Sequence, residues 1–230
     1  MSTRRYALVT GPSRGIGRAT ALAFARRGLD VALLGRASPA MDEVRRHVEG
    51  AGVRAHVLDA DVADPARVEA ACAAIVAAWG APLVVVNNAG IVRRGHRVED
   101  TPLEAWDEVF AVNMRAPFVV ARAFLPSMRV AGCGRLVHVG SISSTIGCPE
   151  NASYAASKWG LVGFAKSLAE ELRGTELASI AVLPGSVDTD MLRGSGFAPA
   201  MTADDVAGTI VYAALDAPLA MNGSALEVFG

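Results

Sequence analysis

The stretch YALVTGPSRGIG, residues 6–17, decides the fold. A short apolar run, YALVT (6–10), passes directly into a turn that carries Gly11, Gly15 and Gly17, and a helix candidate (15–27) begins inside that turn. Glycine allows the backbone to turn tightly and lets a ligand come close to the main chain. A helix starting at that point offers free N–H groups and the positive end of its dipole, where a pyrophosphate can sit. A glycine-rich turn alone is a weak signal. With a strand before it and a helix after it, the turn reads as a dinucleotide-binding fingerprint, completed by Ser13, Arg14 and Ile16.

The rest of the chain repeats the same unit. Further near-continuous apolar runs are VALL (31–34), RAHVL (54–58), LVVV (83–86), RLVHV (135–139), SIAVL (179–183) and ALEVF (225–229). Runs of this kind suit strands covered on both faces. Helix candidates lie between them at 39–50, 64–79, 102–131, 154–173 and 202–215. The alternation predicts an α/β fold of the Rossmann type: a doubly wound parallel sheet of about seven strands in a single domain, 1–230. Pro117 is expected to disturb or divide the helix 102–131.

Composition narrows the function. The 230 residues carry 22 Lys plus Arg against 23 Asp plus Glu, a formal net charge of -1. That balance gives no footing for nucleic acid or an anionic membrane surface. Cys72, Cys133 and Cys148 are scattered, which fits a reducing cytoplasm rather than a disulfide framework. His47, His56, His96 and His138 show no metal-ligand spacing, so no metal is expected. No signal peptide is read at the start, and no apolar run is expected to span a membrane.

The end of the second strand indicates which dinucleotide. An acid there would bind a ribose 2′-hydroxyl, whereas an arginine accommodates a 2′-phosphate. The sequence reads LLGRAS, with Arg36 in the acid's place and Arg14 within reach from the glycine turn. Guanidinium matches phosphate in a bidentate way, so NADP(H) is the expected cofactor.

Five further motifs fall at carboxyl ends of strands or on adjoining helices: NNAG (87–90), Asn113, HVGSISS with Ser141, SYAASKWG with Tyr154 and Lys158, and PGSVDT (184–189). Together with the glycine turn they resemble the short-chain dehydrogenase/reductase family from Tyr6 to about Phe229. Within it the likeness is greatest to bacterial 3-oxoacyl-(acyl-carrier-protein) reductases. The resemblance implies a catalytic tetrad of Asn113, Ser141, Tyr154 and Lys158. It also implies that Asp61, with Val62 beside it, binds the adenine ring. Asn88, Ala89 and Gly90 would pack along the cofactor. In the PGSVDT segment, which opens with Pro184 and Gly185, Val187 and Thr189 would hold the nicotinamide carboxamide. A homo-oligomer, a tetramer built on helices 102–131 and 154–173, is implied as well.

The tyrosine–lysine pair has a physical rationale. A free phenol, with a pKa of about 10, is a reluctant acid at neutral pH. A cation one helical turn away, with the charge of an oxidised nicotinamide, is expected to favour phenolate and make Tyr154 a general acid or base. Ser141 would hold the carbonyl oxygen, Asn113 a water that links Lys158 to solvent, and Lys158 the nicotinamide ribose. Ile142, Ile146, Met191 and Phe197 are expected to line the substrate pocket beside Ser141.

The sequence departs from the family pattern in three places. The segment after Thr189 is short, Leu83 stands where the family often has an acid before NNAG, and Gly132 and Glu170, with Glu171 next, stand where carrier-protein reductases often have basic residues. The expected function is NADPH-dependent reduction of a ketone, a 3-oxoacyl thioester or a similar small carbonyl, to a secondary alcohol. An NAD-dependent alcohol or sugar dehydrogenase and a non-catalytic NADPH sensor are the alternatives.

Overall fold

Strands alternate with helices throughout the structure, a computed structural model that describes residues 5–230. Residues 1–4, with which the expected domain opens, lie outside the described residues. In chain order the elements are β1 (Tyr6–Thr10), α1 (Gly15–Arg26), β2 (Asp30–Gly35), α2 (Pro39–Gly50), β3 (Ala55–Asp59), α3 (Pro65–Trp79) and β4 (Val84–Asn87). They continue as α4 (Leu103–Phe110), α5 (Ala116–Ala131), β5 (Gly134–Val139), α6 (Ala152–Glu171), β6 (Leu177–Pro184), α7 (Ala203–Val211) and β7 (Ala225–Val228).

The seven strands form one sheet in the order β3-β2-β1-β4-β5-β6-β7. Every pairing is parallel. The chain runs outward from β1 to β3, returns across the sheet, and runs outward again from β4 to β7. The crevice between β1 and β4 is therefore the point where strand order reverses, and ligands bind at such points outside the carboxyl ends.

Alternate residues of each strand enter opposite layers, as the pleat requires. Ala7, Val9, Val31, Leu33, Val84 and Val86 pack with Phe24 of α1, Val44 of α2 and Ile210 of α7. Leu8, Ala32, Leu34, Val85 and Leu136 pack on the other face with Ile75 of α3, Phe124 of α5 and Leu168 of α6. Both faces are apolar, which is why the strands read as unbroken hydrophobic runs rather than as an alternating pattern.

The helix expected at 102–131 is continuous but widened. α4 passes through a single π-helical turn, Ala111–Arg115, into α5, and Pro117 lies at the start of α5. A wider turn relieves the clash between the proline ring and the carbonyl of Asn113, four residues back. The proline thus displaces one turn without dividing the helix. Leu103–Ala131, at 29 residues, is long and apolar enough to cross a membrane by length and composition, which corrects the expectation that no segment would be. Half of its most apolar window is buried inside the fold, as a helix covering a sheet must be.

Candidate active site

The glycine turn and NNAG are tied together across the crevice. Thr10 Oγ1 accepts from the backbone N–H groups of Asn88 and Ala89, each at 2.9 Å. Asn88 Nδ2 donates back to the carbonyl oxygens of Thr10 (2.9 Å) and Gly11 (3.2 Å). Gly11 (φ 63°) and Gly15 (φ 53°) adopt the left-handed region that other residues avoid. A Cβ on Gly17 would collide with the Gly11 carbonyl oxygen and lie 2.5 Å from Asn88 Nδ2. The loop after β6 closes the same corner. A Cβ on Gly15 would lie 3.2 Å from Thr189 Cγ2, and Val187 is buried and bridged to Met201. Pro184 ends β6, and the Gly185 N–H donates to the Val228 carbonyl at 2.8 Å.

This corner fits a dinucleotide. The N-terminus of α1 has no side-chain cap and no acid in its first turn, as is also true of α5 and α6. The N–H groups and positive dipole of α1 lie at the crevice with no acid in the helix's own first turn, a place suited to a phosphate. Ser13 and Ile16 lie in this turn. At the outer edge Arg36 (81% exposed) stands 4.0 Å from Asp61 Oδ2, and Arg14 (78% exposed) stands 3.4 Å from Asp190 Oδ2. Exposed pairs of this kind hold their partners weakly, so both guanidinium groups can turn to a phosphate. Asp61 also accepts from the Ala63 N–H at 2.9 Å, which sets the loop that carries Val62.

Deeper in the crevice, three elements converge on Tyr154. α6 carries Tyr154 and Lys158 one turn apart, both buried. Lys158 Nζ donates to the Val139 carbonyl at 2.8 Å, at the end of β5, and lies 5.7 Å from the centroid of the Tyr154 ring. Ser141 stands two residues past the end of β5, and its Oγ accepts from the Ser143 N–H at 3.1 Å. A Cβ on Gly90 would lie 3.4 Å from Asn113 Oδ1 and 3.5 Å from Lys158 Nζ, so the last residue of NNAG looks onto both.

Asn113 sits in the π turn as a buried brace. Its Oδ1 accepts from the Ile91 N–H (2.9 Å), while its Nδ2 donates to the Ile91 carbonyl (2.9 Å) and to Ser157 Oγ (3.0 Å). Ser157 Oγ donates in turn to the Tyr154 carbonyl at 2.7 Å. Ser157 escapes a sequence reading because it resembles any small residue of SYAASKWG.

Burial governs the electrostatics. Desolvation raises the Tyr154 phenol above its ordinary range, against a hydrogen bond with Ser141 and the charge of Arg94. Desolvation also lowers the Lys158 ammonium to about 8. In the chain without cofactor, burial thus outweighs the charges near the phenol, Lys158 at 5.7 Å from the ring centroid and Arg94, whose charge acts to lower its pKa.

Arg94 is a residue the sequence reading missed. It is half-buried in the loop after β4 and donates from Nη1 to the Met191 carbonyl at 2.9 Å. No motif separates it from adjacent Arg93, which folding directs to Glu108 instead.

The pocket residues are divided. Met191 lies against the phenol, with its Sδ 3.9 Å from Tyr154 Oη, and Ile142 is half-buried next to Ser141. Ile146 (55% exposed) and Phe197 (64% exposed) stand at the surface of their loops rather than around the phenol.

Comparisons with known proteins agree with this fold. The profile of the family described as short chain dehydrogenase matches residues 5–198. A 2-(R)-hydroxypropyl-CoM dehydrogenase of Xanthobacter autotrophicus is 34% identical over 98% of this chain and 97% of its own. A 3-oxoacyl-(acyl-carrier-protein) reductase of Escherichia coli is 32% identical over 98% of this chain and 96% of its own. Among solved structures, acetoin dehydrogenase from Enterobacter cloacae superposes with a TM-score of 0.90 at 27% identity, covering 100% of this chain and 96% of that one. A 3-ketoacyl-ACP reductase from Sinorhizobium meliloti gives 0.91 at 31% identity, covering 97% of each chain.

Proposed function

The chain belongs to the short chain dehydrogenase family of oxidoreductases, and from that premise we propose that it reduces a ketone to a secondary alcohol with NADPH. The observation that carries this reading is the meeting of Tyr154, Lys158, Ser141 and Asn113 beside an uncapped glycine turn. The turn around Gly11, Gly15 and Gly17 would receive the pyrophosphate. Arg36 and Arg14 would receive the 2′-phosphate, Asp61 and Val62 the adenine, and Val187 and Thr189 the nicotinamide end. When bound, the dinucleotide supplies the hydride that reduces the carbonyl carbon.

The protein's own part is proton transfer and charge placement. Ser141 holds the carbonyl oxygen by hydrogen bonding, and Tyr154 delivers its proton to that oxygen as negative charge develops. A phenol kept neutral by burial carries the proton the step needs. Lys158 has N–H groups beyond the one given to Val139, and these would hold the nicotinamide ribose. Both hydrogens of the Asn113 amide are already donated, so that side chain is a brace. Its backbone carbonyl is the group left for this role, and Pro117, four residues on, has no N–H to offer it. A water on that carbonyl would connect Lys158 to solvent.

The substrate would be a 3-oxoacyl thioester or a similar small carbonyl, entering past Ile142 and Met191, with Ile146 and Phe197 at the rim. The reaction is reversible, and Tyr154 would act as base in the direction of alcohol oxidation. The free cysteines, Cys72, Cys133 and Cys148, suit a cytoplasmic setting.

The test is NADPH consumption against a panel of ketones and 3-oxoacyl thioesters, with Tyr154→Phe beside the wild type. The variant should bind NADPH normally and lose roughly 10²–10⁴-fold in turnover. Wild-type turnover in Tyr154→Phe would remove Tyr154 as proton donor. Tight NADPH binding with no turnover of any carbonyl would favour a sensor.

A further inference from the structure

Arg94 brings a positive charge to the site that the reaction as described does not use. Adjacent Arg93 is fully engaged by Glu108, through bonds of 2.9 and 2.7 Å. Arg94 pairs with no carboxylate among the described residues, and its bond is to a neutral acceptor, the Met191 carbonyl oxygen, at 2.9 Å. A guanidinium stays charged in proteins and presents five N–H donors in a flat fork. One donor resting on a main-chain carbonyl leaves that charge unanswered in a half-buried place.

The position matters as much as the charge. Met191 is also the residue whose Sδ lies 3.9 Å from the Tyr154 hydroxyl. Phenol and guanidinium therefore rest on two ends of one residue. A substrate whose carbonyl oxygen takes the place of the Met191 sulfur against Tyr154 would lie one residue's length from the main-chain oxygen that Arg94 now holds. A group a few bonds from that carbonyl could then reach the guanidinium.

We propose that Arg94 is a specificity-determining residue that selects small ketones bearing a carboxylate a few bonds from the carbonyl, in other words short oxo acids. The carboxylate takes the fork of Arg94 in place of the Met191 carbonyl, and the ketone oxygen faces Tyr154 and Ser141. This inference rests on the reading of Tyr154 as proton donor, and it narrows the small-carbonyl substrate class of that reading.

The experiment compares acetoacetate with methyl acetoacetate, which differ in the charge but share the ketone. Calorimetric titration is done on enzyme saturated with NADP⁺, where both ligands are already oxidised and no turnover intervenes. The wild type should bind the acid roughly 10- to 100-fold tighter than the ester, the range for a charge-assisted bond. Arg94→Gln should erase that ratio, and Arg94→Lys should keep part of it, because the charge remains while the fork is lost. The ratio of kcat/KM for acid over ester, measured with NADPH, should follow the same order.

Equal binding of acid and ester by the wild type overturns the proposal. So does a loss of both in equal measure in Arg94→Gln, which would make Arg94 a strut for the Met191 loop. Failure of the wild type to bind either probe also overturns it. In that event, NADPH consumption with another ketone would leave the reductase reading standing, whereas turnover of no carbonyl would end both.

Discussion

His138 shows how a single buried residue ties stability to pH. It lies in β5, packed edge-on against Phe164 with centroids 5.4 Å apart, and its Nδ1 is 3.3 Å from Asn87 Nδ2. Burial pushes its imidazole down to about 4 from the ordinary 6.5. The folded state therefore binds fewer protons than the unfolded chain between those values, and its stability is lost as pH falls from 6.5 through 4. At pH 4.5 the loss from this residue is about 2 kcal/mol relative to pH 7. Urea unfolding at both pH values should show His138→Gln losing less stability than the wild type by that amount, and equal losses would refute the assignment. Arg36 lies at the opposite extreme of exposure. Arg36→Asp should weaken NADPH binding by one to two decades, at about 1.5–3 kcal/mol for a charged contact, and should leave NADH nearly unchanged. Fluorescence titration with both cofactors decides it, and equal weakening would remove Arg36 from the 2′-phosphate site. Arg36 was legible because it occupies a position defined by the end of a strand. Arg94 was not, because two adjacent arginines in a loop differ only in the direction folding turns them.

At the scale of elements, the glycine turn and the π turn do complementary work. The turn between β1 and α1 is pinned by Thr10 and Asn88, so its shape is set by β4 as much as by its own glycines. Gly17→Ala would place a methyl group against the Gly11 carbonyl and Asn88 Nδ2, and the backbone must shift to admit it. Binding of NADPH should fall by more than tenfold, since about 1.4 kcal/mol suffices for each decade. A variant that binds NADPH as the wild type does would show that the turn relaxes without consequence. The element boundaries were legible to within a few residues, because apolar runs and turn residues mark them. The π turn was not. The sequence signals only a proline in a helix, and whether the chain breaks, kinks or widens depends on what α4 and α5 pack against.

For the whole molecule, the reading implies a homotetramer held together by α4–α5 and α6. Phe118 on α5 and Trp159 on α6 are large apolar residues left about half exposed, as a covered interface would require. Light scattering at micromolar concentration should give four times the chain mass, 23.8 kDa. A monomer there would refute the assembly. Glu170 and Glu171 end α6, with Glu170 paired to Arg173 at 2.7 Å, and on this proposal their charges would oppose an acidic carrier protein. By itself the sequence determined the doubly wound class and the positions of the glycine turn, of Arg36 after β2 and of Tyr154 and Lys158 one turn apart on α6. Each is written in local order: a hydrophobic period, a glycine spacing or a separation of one helical turn. Only the tertiary structure decided that Asn113 braces Ile91 and Ser157, that Met191 lies on the phenol, and that Arg94 rather than Arg93 faces the site. Those contacts join residues far apart in sequence, and their identity depends on distances and burial that no local pattern encodes.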